Sequence, residues 1–398
     1  MELNPIGIAV PAFFALMALE FLWARAAGKT LFRLNDTVGD LTCGMGDQMI
    51  GLLVGVFTVA AYASVNVRFG WFEMDPGSAW TWAIGLVGVD FCYYWFHRFS
   101  HRVNVGWSTH VVHHQSEEYN LAVALRQPWF SQFHAWVFYV PLALLGVPVE
   151  VWAGSYAVNL LYQFWIHTQL IGVLGPVEWV MNTPSHHRVH HGTNPAYIDK
   201  NYAGIFIVWD RIFGTFEQEK EAPVYGVLKP IRTWNPLIAN VAPITQLLAA
   251  SADQVGWKNK LRMLIAEPGW TPAGVQLPEF PSPLRGYDAN AMAGQGGYVI
   301  AHLAPVSAVT GLVIAHSELW PPGWLGLGAV YILWTGLNWA GLLEDRVWVK
   351  WSEPVRLVTV AGAGGWLAMD QASGVASMAF GGLAALSFLS LAWRAKKG

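Results

Sequence analysis

Histidines concentrated in one part of the chain are the first chemical signal in the sequence. Of 13 histidines in 398 residues, 11 fall between His97 and His191. Apart from His134, they form the blocks His97 and His101, then His110, His113 and His114, then His186, His187, His190 and His191, with His167 alone before the last block. Residues three and four apart share one face of a helix, so each block can direct two or three imidazoles at one point. The pattern predicts a metal site; scattered structural histidines are the alternative.

The number of histidines indicates which metals such a site would hold. Nine or ten neutral imidazoles exceed the four positions of one tetrahedral zinc ion, so the count favours two metals of octahedral type with some positions left open. Two irons bound mainly by imidazole suit the activation of oxygen. A metal transporter would place acidic ligands along the middle of several membrane helices, where this sequence has few ionisable groups besides Glu20 and Asp90. An enzyme is therefore favoured, and a non-enzymatic membrane metal protein is the second class.

Composition predicts that this cluster lies in a membrane protein. The chain is 54% hydrophobic and 12% charged, against about 25% charged in typical soluble domains. A formal net charge of −3 and the absence of a basic run give no nucleic-acid-binding signature. Cys43 and Cys92 form no pairing pattern and are expected to be inert core residues. The first residues lack the basic stretch of a cleaved signal peptide, so the first apolar run is expected to stay as a membrane helix.

Apolar runs near the roughly 20 residues needed to cross a bilayer predict an all-α, polytopic membrane protein with about nine transmembrane helices. The runs lie at residues 5–24, 48–66, 79–96, 131–147, 151–171, 297–316, 323–343, 355–371 and 374–393. Threading them puts every Lys and Arg except Arg68 on one side, which the positive-inside rule assigns to the cytoplasm. The histidine blocks fall at that edge. The active site would then face the cytoplasm from a bacterial inner membrane or from the endoplasmic reticulum.

The apolar runs divide the chain into three parts. Residues 1–245 are expected to form a catalytic membrane domain of about five spans with a cytoplasmic cap. Within residues 246–296, the stretch 246–265 mixes leucines with basic residues, which predicts an interfacial amphipathic helix or a plain surface helix, and a linker rich in Pro and Gly follows. Residues 297–398 are expected to add about four C-terminal membrane helices.

Two carboxylates are predicted to lie close to the histidines. Asp90 precedes His97 on the same predicted helix face, and a carboxylate inside a membrane is costly without a partner. It is expected either to orient a ligating imidazole through its second ring nitrogen or to bind a tyrosine or a backbone group. Asp210 allows the same two interpretations, and the orienting role is slightly favoured for it.

The order HxxxH, HxxHH, HxxHH resembles the fatty acid hydroxylase and sterol desaturase superfamily of membrane di-iron enzymes. Within that superfamily, the alkylglycerol monooxygenases are similar in the runs at residues 116–121, 124–127, 160–168, 182–192, 199–204 and 209–216. Residues 268–270 and 341–346 are also similar. The resemblance covers most of the chain and is densest from about residue 85 to 235.

The resemblance implies a di-iron centre that uses O2. Its metal ligands would be His97, His101, His110, His113, His114, His167, His187, His190 and His191. His186 would lie beside the ligand set rather than in it. The electron donor would be tetrahydrobiopterin or a separate redox protein, and Arg102 stands where the animal enzymes have an acidic residue, which leaves the donor open.

The implied reaction is hydroxylation of the ether-linked carbon of an alkylglycerol-type lipid, which releases a fatty aldehyde. Hydroxylation or desaturation of an acyl chain, a sterol or an amino lipid is the alternative. Tyr119, Asn120 and Asn194 directly follow histidine blocks and are candidates to contact the lipid headgroup.

Overall fold

Helices make up nearly all regular structure in the computed structural model, which describes residues 5–275, 286–289, 295–370 and 375–395. They are α1 (Pro5–Ala26), α2 (Leu34–Phe69), α3 (Ala79–Arg102), α4 (Asn104–His114), α5 (Gln132–Ala135), α6 (Val140–Leu145), α7 (Val149–Trp165), α8 (Pro184–His191), α9 (Val208–Ile212), α10 (Pro236–Ala252), α11 (Trp257–Ile265), α12 (Gln295–Ala315), α13 (Pro322–Leu343), α14 (Val349–Asp370) and α15 (Val375–Ala395). One short antiparallel ribbon pairs Trp270 with Val275. The described part of the chain is therefore mostly helical, as predicted.

Four of the described helices, α1, α2, α12 and α13, are long and apolar enough to cross a membrane. Helices α3, α7, α14 and α15 lie where further spans were predicted, and the arrangement of about nine spans stays a prediction. Some predicted segments lie partly outside the described residues. The residues concerned are 276–285 and 290–294 in the predicted linker, 371–374 at the junction of the last two predicted spans, and the terminal residues 1–4 and 396–398.

The predicted span at 131–147 is not one spanning helix. The chain there forms α5, a 3-10 segment at Trp136–Tyr139 and α6. Together these run over Gln132–Leu145, about 21 Å at 1.5 Å per residue, which is shorter than the roughly 30 Å hydrocarbon core. The run ends at Gly146, whose φ of 100° and close approach to the Phe72 carbonyl leave no room for a side chain.

Helix α2 extends well beyond the span predicted at 48–66. It is one helix of 36 residues, and three acids in its first half, Asp36, Asp40 and Asp47, are buried. Its second half exposes large apolar side chains, including Phe57 and Val67. These acids lower the hydropathy of the first half, so the sequence predicted a shorter helix.

The segment predicted as one amphipathic helix at 246–265 is two helices, α10 and α11. They are separated at Gly256, which has a φ of 80°. The exposed side chains of Trp257, Leu261 and Ile265 are four residues apart on α11 and therefore share one face. This is the apolar face that an interfacial helix needs, and its position at the membrane surface stays a prediction.

Candidate metal centre

The structure brings the nine predicted ligands together in two adjacent groups. The five-histidine group is His97, His101, His110, His114 and His190, and the four-histidine group is His113, His167, His187 and His191. Within each group the candidate ring nitrogens lie within 4.8 Å of one another, and all nine side chains are buried. The convergence predicted from the blocks is therefore seen, and each group presents enough nitrogen donors to hold one metal ion.

Two short helices contribute to both groups, which explains the spacing of the blocks. On α4, His110 and His114 are four residues apart and enter the five-histidine group, whereas His113 enters the other. On α8, His187 and His191 are four apart and enter the four-histidine group, whereas His190 enters the first. Each of these two helices therefore presents histidines to both groups.

Backbone carbonyls, not carboxylates, orient four of the nine imidazoles. The Nδ1–H groups of His97, His113, His167 and His190 donate to the carbonyls of Tyr202 (2.8 Å), Arg126 (3.0 Å), Gln163 (2.7 Å) and Lys200 (3.0 Å). Because a carbonyl only accepts, the proton of each neutral ring must lie on Nδ1, and Nε2 carries a lone pair. Each of these rings therefore presents its lone pair to the centre.

One contact in the four-histidine group fits a metal cation between the rings. The Nε2 atoms of His113 and His167 lie 3.3 Å apart, and both are lone-pair nitrogens by the argument above. Burial lowers the pKa of His113 to about 4, so no added proton bridges them near neutral pH. Buried Nε2 atoms of His101, His190 and His191 also have no hydrogen-bond partner. A bound metal would use all of these lone pairs.

The carboxylates of Asp90 and Asp210 bind backbone rather than imidazole. Asp90 accepts from the backbone amides of residues 205 and 206 and from the side chains of Asn159 and Trp209. Asp210 accepts from the amides of Tyr202 and Ala203. For Asp90 this agrees with the second of its two interpretations, a backbone partner, whereas the direct orienting role that was slightly favoured for Asp210 is not what the structure shows. Asp210 acts one step away, because Tyr202 is the residue whose carbonyl binds His97.

His186 lies outside both groups, as the resemblance implied. Its Nε2 is 3.7 Å from a carboxylate oxygen of Glu178. Burial lowers the pKa of His186 to about 4. The same Glu178 accepts hydrogen bonds from Thr183 and Ser185 at the start of α8. Glu178 therefore anchors the start of the helix that carries the last histidine block, through Thr183 and Ser185.

The three candidate headgroup residues have different surroundings. The ring of Tyr119 lies 5.1 Å from that of His191 and stacks on Tyr225 at 4.6 Å, so it borders the four-histidine group. Asn120 donates to the Leu31 carbonyl and accepts from the amide of residue 122. Asn194 donates to Glu221 and accepts from the amide of residue 224. These two amides hold loops together, and their contact with a headgroup stays a prediction.

Sequence reasoning missed a buried ion pair beside the four-histidine group. Arg126 donates to Asp40 (3.2 Å), to Gln115 and to the carbonyl of Val112 in α4, and its own carbonyl binds His113. Both members of the pair are buried. A signal was present in the sequence, since an arginine within an apolar stretch after the second block needs an acidic partner.

Two buried imidazole groups in a chain with several helices of membrane-spanning length indicate a membrane protein with a histidine-rich candidate metal centre. Residues 82–215 match the fatty acid hydroxylase family. Alkylglycerol monooxygenases from Danio rerio, Xenopus tropicalis and Homo sapiens are 45%, 38% and 43% identical over 68%, 84% and 68% of this chain. The chain belongs to the fatty acid hydroxylase family, in the branch that contains the alkylglycerol monooxygenases.

The matched parts of the relatives are shorter than the relatives themselves. The match spans 61% of the Danio rerio protein, 76% of the Xenopus tropicalis protein and 60% of the human protein. No solved structure matches the chain. The family match at 82–215 contains every histidine of both groups.

Proposed function

We propose that this chain is an O2-dependent lipid monooxygenase whose two histidine groups hold two iron ions. The observation that carries the proposal is the facing pair of Nε2 lone pairs on His113 and His167 within a buried set of nine imidazoles. Binding by imidazole alone suits iron, and iron bound there would supply the two-electron activation of O2. The family relationship to alkylglycerol monooxygenases supports the reaction class.

The protein's own residues keep the site dry and the donors aimed. Burial keeps the imidazoles neutral, and the carbonyls of Arg126, Gln163, Lys200 and Tyr202 fix which nitrogen is deprotonated. Four imidazoles leave more room for a further ligand than five, so the group beside Tyr119 is the more open of the two. Exclusion of water from such a site limits side reactions of an oxidant.

The substrate is proposed to be an alkylglycerol-type lipid. One oxygen atom of O2 enters the C–H bond of the ether-linked carbon, and the other leaves as water after taking up two electrons and two protons. The resulting hemiacetal breaks its C–O bond to give a fatty aldehyde and a free glycerol hydroxyl. The chain contributes by holding the ether carbon next to the four-histidine group while the alkyl tail stays in the bilayer.

The electrons are proposed to come from tetrahydrobiopterin or a separate redox protein. Arg102 does not present a free charge to either donor, because Asp199 and Glu267 bind its guanidinium at 2.9 Å each. We place the centre at the cytoplasmic edge of about nine spans, in a bacterial inner membrane or the endoplasmic reticulum, on the distribution of Lys and Arg along the chain.

Membranes containing the protein test this proposal with an alkylglycerol labelled on the ether carbon. We expect labelled aldehyde only when O2 and a reductant are both present, with tetrahydrobiopterin as the first reductant to supply. His113→Gln should abolish the product, and His134→Gln, which changes a histidine outside both groups, should not. An unchanged ether lipid together with a hydroxylated acyl chain, sterol or amino lipid would refute ether cleavage and keep the monooxygenase.

A further inference from the structure

The loop at residues 199–202 has an unusual backbone. Asp199 and Asn201 have φ values of 61° and 54°, in the left-handed region that is uncommon outside glycine and in which Asn and Asp are enriched among the other residues. Two such residues within three positions require support from the surrounding structure. Strained backbone that is held by several contacts is found most often where a precise position matters.

Side chains from three directions hold this loop in place. The Asn201 side chain donates to the carbonyls of His186 (3.0 Å) and Glu217 (2.8 Å) and accepts from the Glu217 amide (2.9 Å). Asp210 accepts from the two amides that follow, at 2.9 and 2.8 Å. Arg102 binds Asp199 at 2.9 Å. Asn201 and Asp210 are completely buried, so water does not replace these bonds.

The loop presents two carbonyl groups to the metal centre. Lys200 accepts from Nδ1 of His190 at 3.0 Å, and Tyr202 accepts from Nδ1 of His97 at 2.8 Å. Both imidazoles belong to the five-histidine group. In the four-histidine group, His113 and His167 are oriented by the carbonyls of other segments. These four imidazoles are therefore oriented by separate parts of the backbone in the two groups.

We propose that Asn201 is a positioning residue that sets the metal affinity of the five-histidine group more strongly than that of the four-histidine group. It holds the loop so that the carbonyls of Lys200 and Tyr202 keep the protons of His190 and His97 on Nδ1 and their Nε2 lone pairs on the metal. This inference rests on the proposed metal centre. It goes beyond that proposal because it names a side chain that acts on one of the two ions by holding the backbone carbonyls that orient the ligands of that ion.

Metal retention tests the assignment without using activity. Purified protein is loaded with ferrous iron without oxygen, then dialysed against increasing concentrations of a ferrous chelator, and the iron is counted. The variant Asn201→Gly tolerates the left-handed backbone but removes the amide. We expect wild type to hold two ions, and the variant to release one of them at about 10-fold or more lower chelator concentration.

Double variants identify which ion is released. Adding His101→Ala, in the same group, should leave the one retained ion in place, whereas adding His187→Ala, in the other group, should remove both. Asn240→Ala is the matched control, since the Asn240 amide also joins two backbone segments but lies outside both groups. Asp210→Asn, which weakens the same loop, should repeat the selective release if Asn201→Gly does not fold.

The possible failures are distinguishable. A wild-type chain that binds no iron refutes the proposed metal centre and this inference with it. A wild-type chain that binds two ions, with variants of Asn201 and Asp210 that match the Asn240→Ala control, refutes the positioning role alone. Loss of both ions at the same chelator concentration in Asn201→Gly also refutes it, because the proposed effect is stronger on the five-histidine group.

Discussion

Replacing Asp40 by asparagine should destabilise the protein and its four-histidine group together. The side chain of Arg126 is 4% exposed and the side chain of Asp40 is 1% exposed, so neither charge is compensated by water. Arg126 also donates to the Val112 carbonyl at 2.6 Å, and its own carbonyl binds His113 at 3.0 Å. The variant Asp40→Asn therefore leaves a buried positive charge beside the backbone that orients a proposed ligand.

The size of the effect follows from the cost of an unpaired buried charge. Removing one partner of a buried ion pair costs roughly 3–5 kcal/mol. The asparagine oxygen still accepts a hydrogen bond, so we expect the lower end, a loss of about 3 kcal/mol in the free energy of unfolding. A loss of that size lowers the ratio of folded to unfolded protein about 100-fold.

The change in the free energy of unfolding is measured in detergent micelles by reversible unfolding with increasing amounts of a denaturing detergent. The iron content of the purified protein measures the accompanying change at the centre. Asp47→Asn is the matched control. Asp47 is a buried acid on the same helix, but it accepts from the neutral amides of Gln132 and Gln48, so its loss leaves no cation unpaired. If Asp40→Asn unfolds like the Asp47→Asn control and keeps its iron, the argument from the buried pair is wrong.

Three further predictions concern acid, topology and the membrane surface. Because burial lowers the pKa of His113 from 6.5 to about 4, the metal-free protein should be most stable above pH 6.5 and lose stability as the pH falls towards 4, measured by thermal unfolding at each pH; a flat profile would contradict this. Both native cysteines are buried, so they give little background in a labelling experiment. A cysteine at Ser78 should react with an impermeant reagent added on the extracytoplasmic side, and one at the exposed Ala222 should not. The reverse labelling would invert the predicted topology. Brominated lipids should quench Trp257, which is 70% exposed on α11, more than the buried Trp339, and equal quenching would remove α11 from the interface.

The histidine spacing predicted much of the centre because helical periodicity is local. It was sufficient to predict that His110, His113 and His114 converge with the other blocks. It did not predict the division into two groups, since that depends on how α4 and α8 face each other in the folded chain. Apolar runs likewise predicted the positions of α12 and α13. They did not predict the first half of α2, because its buried acids lower the hydropathy there.

The groups that orient the imidazoles could not be predicted from residue types. Every residue except proline offers the same backbone donor and acceptor, so nothing in the side chains of Lys200 or Gln163 marks their carbonyls as partners of a histidine. Asp210 was singled out correctly as a buried acid near the site, but its effect on His97 passes through a peptide group. Contacts of this kind depend on the path of the backbone in three dimensions.

The length of α2 connects the surrounding lipid to the centre. Its 36 residues extend about 54 Å, well beyond the roughly 30 Å of the hydrocarbon core. One half exposes large apolar side chains such as Phe57, and the half that holds Asp40 reaches Arg126 and, through its carbonyl, His113. Because α2 is one continuous helix, a tilt of its apolar half would also move Asp40 and, through Arg126, the carbonyl that binds His113.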